Sequence, residues 1–168
     1  MDSATPCVVL EFYPDNEALE RVIREKKAKV LELDRSSMRG SWFEVPTLWI
    51  VGGVRLVYPP MCDSPIGLVD IVGDFVATAA IGDSAFFDTM ETGINWILWL
   101  GPWGIEVMRI SPDSPTHELV HVAGPCPVED WRAAIAKARE EVKAFMAEVF
   151  PDIVRHPEFI DWYPTQPD

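Results

Sequence analysis

Residues 94–123 read INWILWLGPWGIEVMRISPDSPTHELVHVA, and how this stretch divides decides the fold. Two turn signals, Gly101-Pro102-Trp103-Gly104 and Ser111-Pro112-Asp113-Ser114-Pro115, separate runs at 94–100, 105–110 and 116–123 that are rich in β-branched and aromatic residues. Turns this short join neighbouring antiparallel strands, so the stretch predicts a meander. Side chains alternate along a strand, which puts Trp96 and Trp99 on opposite faces of the first run.

Working outward, residues 7–13 (CVVLEFY) end at Pro14 and read as a first strand. A helix over about 15–29 follows, with Asp15 or Asn16 as cap, Glu17 and Glu20 in its first turns and lysines at its C-terminal end; residues 30–34 read as a short strand. Runs at 42–51 and 54–58 flank Gly52-Gly53 and predict a hairpin, with Pro46 placing the first run at an edge or a bulge. Ser64-Pro65 is a cap followed by proline at the first helical position, opening a helix to about residue 81 whose inner face is Leu68, Ile71, Val72, Phe75 and Ala79. Pro127 opens the clearest helix, to about residue 149, with a stripe of Trp131, Ile135, Ala138, Val142 and Phe145 repeating three and four residues apart. On that stripe Phe145 is core, and Phe145→Ala is expected to cost roughly 3–5 kcal/mol. The sum is an α+β class: one domain over 1–168, a largely antiparallel sheet with about three helices packed on it, and a tail at 152–168 lying across the surface.

Composition narrows the function. The chain has 168 residues, 48% hydrophobic and 24% charged, an ordinary globular make-up that excludes intrinsic disorder. Its 27 acidic and 14 basic residues give a net charge of −13, which excludes nucleic acid as an expected partner and favours a basic one. The longest apolar stretch is broken by Gly101, Pro102 and Gly104, so no membrane span is expected. Asp2 stands where a signal peptide carries Lys or Arg. Cys7, Cys62 and Cys126 form no CxxC pair and read as reduced thiols of a cytoplasmic protein.

The sharpest motif is His117-Glu118-Leu119-Val120-His121, which resembles the HExxH of zincin metalloproteases. That resemblance implies a zinc hydrolase with His117 and His121 as ligands, Glu118 activating the metal-bound water, and Glu141 as the third ligand. The motif works only on a helix. Here Pro115 and Pro125 bracket it and Val120 and Val122 favour a strand, where Glu118 points away from the face the histidines share. The expectation is therefore a strand, with no catalytic residue, metal or cofactor assigned.

The distribution of charge carries the other reading. Between Arg55 and Arg109 there is no Lys or Arg, while Asp70, Asp74, Asp83, Asp88 and Glu91 fall in that interval. Asp70 and Asp74, four apart on the helix after Pro65, are expected to face solvent, where their repulsion costs a few tenths of a kcal/mol. With Trp103 in a turn as an aromatic anchor, these acids form the expected partner-binding surface. In size, acidity and tryptophan content the chain resembles the immunity proteins of bacterial polymorphic toxin and contact-dependent systems. That resemblance implies a protein that binds a cognate basic toxin domain, such as a nuclease, and blocks its active site. A small-ligand pocket between sheet and helices is a third reading, which a sequence alone does not display.

Overall fold

The computed structural model describes residues 6–13, 17, 21, 44–57, 62–89, 94–110, 117–149 and 151–152, and everything below concerns these. They form two antiparallel sheets and two helices, an α+β arrangement. The first sheet has the order β1 (Val8–Phe12), β2 (Val45–Val51), β3 (Val54–Val57), with the two-residue β4 (Cys62–Asp63) also paired to β2. The second is a meander of β5 (Ser84–Thr89), β6 (Ile94–Gly101), β7 (Gly104–Ile110) and β8 (Leu119–Cys126). Helix α1 (Pro65–Thr78) and helix α2 (Val128–Val149) pack against each other, α2 along β1 and α1 against β5.

Local chemistry explains most of these boundaries. Gly52 and Gly53 both have positive φ, 56° and 82°, the geometry that a two-residue turn between twisted strands requires. Pro46 sits at the start of β2, where its carbonyl accepts the Tyr13 N–H at 2.8 Å. Lacking its own N–H, it cannot return that bond, and β1 ends there. β2 is thus an internal strand, and the register irregularity of its pairing with β3 falls further on, between Trp49 and Ile50. The Ser64 hydroxyl accepts from Gly67 N–H at 3.2 Å and Pro65 follows it, so α1 starts where its cap dictates. Gly104 closes the β6–β7 hairpin with φ 131°, directly against the Cys126 carbonyl, where a Cβ would collide.

Several expectations are corrected. The strands form two sheets rather than one. β5, over Ser84–Thr89, has no counterpart among the expected strands, and β8 begins at Leu119 and runs to Cys126, later than 116–123. Two helices are described where about three were expected; the helix at 15–29 lies outside the described residues except Glu17 and Arg21, which are helical and exposed. The strand at 30–34, Trp42, Trp162 and all but the start of the tail at 152–168 also lie outside them. Cys7 and Cys126 are not free thiols: they form a disulfide across 119 residues, joining the start of β1 to the end of β8. No described helix is long and apolar enough to cross a membrane.

Both sheets and both helices contribute to one core cluster. At its centre Trp49 of β2 meets Phe87 of β5 at 4.9 Å, Trp96 of β6 at 6.3 Å and Trp131 of α2 at 6.0 Å between ring centroids. The α2 stripe buries Trp131, Ile135, Ala138 and Val142 as expected, then continues to Met146. Phe145 is half-buried and turns toward a cleft instead. Steps of three and four residues from Val142 reach both positions, and the deeper packing goes to 146. Met146→Ala is expected to cost about 2–5 kcal/mol and Phe145→Ala about 1–2 kcal/mol, measured by urea denaturation. The reverse order would place the core on the wrong side of the helix.

Candidate functional site

The acids expected to form one patch differ in exposure. Asp70 is 2% exposed, a buried member of α1 rather than a solvent-facing one. Asp74, one turn later, is exposed. The two lie at nearly the same angle around the helix axis, so depth along the axis decides between them. The first turns of α1 are covered nearly all round, with Ile66, Leu68, Val69, Val72 and Phe75 all buried, and Gly73 lies beneath the Arg139 guanidinium of α2. The signal was present in the sequence: a helix apolar on every side belongs inside. Asp83 is exposed, and its carboxylate accepts the Ala80 N–H at 2.8 Å, closing the turn after α1. The Asp88 side chain and Glu91 lie outside the described residues.

Trp103 stands where expected, 80% exposed at the tip of the β6–β7 hairpin. Ile81 is 72% exposed and adjoins Asp83, whose carbonyl accepts the Leu100 N–H at 3.0 Å; Leu100 immediately precedes the Gly101–Gly104 turn. The turn after α1 and the hairpin tip therefore lie at the same end of the second sheet.

The pairing registers define a surface the sequence reading missed. Phe86, Ile97, Met108 and His121 are successive cross-strand partners from β5 to β8, and alternation puts them on the face opposite the buried Phe87, Trp96, Leu98 and Val107. Phe86 is 56% exposed, and Leu119, on β8, is 50% exposed. Trp99 pairs with Glu106 on the same face, its ring over Gly101, and the Glu106 carboxylate lies 3.4 Å from His121 Nε2. Period-two alternation on β5 was the available signal, but no strand was expected there.

The HELVH segment does not adopt zincin geometry. His117 precedes β8 with a φ of 53°, and His121 lies on the strand beside Glu106. Glu141 belongs elsewhere, 3.5 Å from Lys137 on α2. Among the described residues no group of three or more His, Cys, Asp or Glu is placed to hold a metal ion.

A second feature is a cleft of about 480 Å³ between the end of β1, the start of β2 and the C-terminal half of α2. Its polar side is a chain of contacts: the Tyr13 hydroxyl donates to Glu11 at 2.7 Å, and the Lys137 ammonium lies 3.3 Å from Glu11 and 3.5 Å from Glu141. The Tyr13 hydroxyl holds the Glu11 carboxyl below its ordinary range, helped by Lys137, while Glu11 raises both Tyr13 and Lys137. No family model matches the chain, and neither a curated protein nor a solved structure resembles it closely enough to count as a match.

Proposed function

We propose that the protein is an acidic binding protein whose partner is a basic protein, of the kind that immunity proteins inhibit, a toxin domain such as a nuclease. The observation that carries this reading is Trp103, presented at 80% exposure on the tip of a hairpin whose strands are held in register by the meander. A large apolar ring held out on a rigid support is an anchor for a partner's pocket. Ile81 lies at the same end of the sheet, and Phe86 and Leu119 add exposed apolar surface farther along its outer face. The net charge of −13 supplies long-range attraction for a basic partner and speeds its association. Asp74 and Asp83 are exposed and contribute to that charge; Asp70 is buried.

The test is affinity capture from the native cell, run in parallel with the wild type, Trp103→Ala and Phe86→Ala. Neither substitution removes buried surface of the core, so each is expected to change stability by less than about 0.5 kcal/mol. Loss of the anchor is expected to weaken the partner by about 2 kcal/mol or more, a thirtyfold or larger drop in affinity. The captured protein should be basic, should bind more weakly as salt rises, and should arrest growth when expressed without this chain. An acidic partner, or one held by both variants as tightly as by the wild type, overturns the reading.

A further inference from the structure

The cleft at the end of β1 is built from β1, β2 and α2, none of which contributes to the outer face of the second sheet. We propose that it binds a small organic ammonium ion carried on an apolar body. Its volume of about 480 Å³ falls in the range of small-ligand sites. Three aromatic residues, Phe12, Tyr13 and Phe145, are among those that line it, with Val45 and Val142. Aromatic faces attract cations, and do so more strongly where water is partly excluded.

The charges around the cleft select the sign of the ligand. Among the described residues Glu11, Glu141 and Glu148 line it against a single Lys137. That ammonium already lies 3.3 Å from Glu11 and 3.5 Å from Glu141, so it is engaged by carboxylates that outnumber it, and an anionic ligand would meet net repulsion from these residues. The arrangement is also held in place before any ligand arrives. Lys137, Glu141, Phe145 and Glu148 lie three and four apart on one face of α2, and the Tyr13 hydroxyl is tied to Glu11 at 2.7 Å. Phe145, turned out of the core stripe, lies between Glu141 and Glu148 along that face, and all three line the cleft. A hydrophobic amine satisfies all three elements at once: the apolar lining, the aromatic residues and the excess of carboxylates among the described lining residues.

The experiment titrates phenethylamine, phenethyl alcohol and hydrocinnamate, which share an apolar body and differ in charge, into the full chain. Binding is followed by calorimetry and by amide chemical shifts. The expected result is saturable binding of the amine, about tenfold or more tighter than the alcohol, with shifts centred on residues 11–13 and 141–148. The double variant Glu141→Gln/Glu148→Gln changes two exposed side chains and is expected to keep the fold. It should weaken the amine by about tenfold and leave the alcohol unchanged. Phe145→Ala should weaken both. An amine that binds no tighter than the alcohol, that shifts residues elsewhere, or that ignores the glutamine pair overturns the proposal. Neither Trp103 nor Phe86 takes part, so this outcome is independent of the protein partner.

Discussion

Reduction of the Cys7–Cys126 disulfide is expected to lower the stability of the protein by up to about 5 kcal/mol. The bond closes a loop of 119 residues, and loop-closure entropy grows with the logarithm of that length, which sets the size of the estimate. It also ties the first sheet to the second at the point where Gly52 N–H donates to the Cys7 carbonyl and Cys7 N–H donates to Asp130 of α2. For a chain of this size the loss corresponds to a fall in Tm of about 10–20 °C. Urea melts with and without a phosphine reductant measure it, with Cys7→Ala/Cys126→Ala as the second arm. The reduced wild type should approach the double variant. Thiol titration in denaturant, without reductant, should find one of the three cysteines, Cys62, and all three after reduction. Three free thiols in the untreated protein, or a reductant effect below about 1 kcal/mol, would remove the bond from the stability of the fold.

Trp49→Ala is expected to cost about 4–5 kcal/mol, the upper end for loss of a buried aromatic side chain. Its ring is fully buried and touches Phe87 and Trp96 of the second sheet and Trp131 of α2, so one deletion strips contacts from three elements. Tilted and edge-on aromatic pairs of this kind add about 0.5–1.5 kcal/mol beyond the area they bury. Trp49→Phe, which keeps an aromatic ring, should cost less than half as much. Combining Trp49→Ala with Trp131→Ala should cost less than the two singly, because the second deletion removes contacts already lost. Urea denaturation of the four variants gives these values. A Trp49→Ala loss under about 1.5 kcal/mol would mean that the sheets are not held together at this cluster.

These expectations separate what short-range chemistry sets from what packing sets. Gly52-Gly53, the Gly101–Gly104 turn, Ser64-Pro65 and the proline-opened α2 act through hydrogen bonds and torsions within about four residues, so their effect can be read without knowing what lies across the core. The hairpin, most of the meander and both described helices were legible for that reason. So was the strand character of Leu119–His121 in the HELVH segment, though not of His117 and Glu118, which precede the strand.

Burial is a different kind of property, because it depends on neighbours far away in sequence. Asp70 and Asp74 look alike on a helical projection, yet one is covered and the other exposed according to where neighbouring elements begin and end. Phe145 and Met146 compete for one place in the core, and only the position of α2 on its neighbours awards it to Met146. The outer row from Phe86 to His121 exists only once four strands are paired in register. Cys7 and Cys126 lie 119 residues apart and meet because two sheets close on a shared core. The sequence by itself determined the turns, caps, strand-forming runs and net charge, since each is local or additive. The tertiary structure alone decided which acids remain at the surface, which cysteines join and where a cleft opens, since each requires residues that only folding brings together.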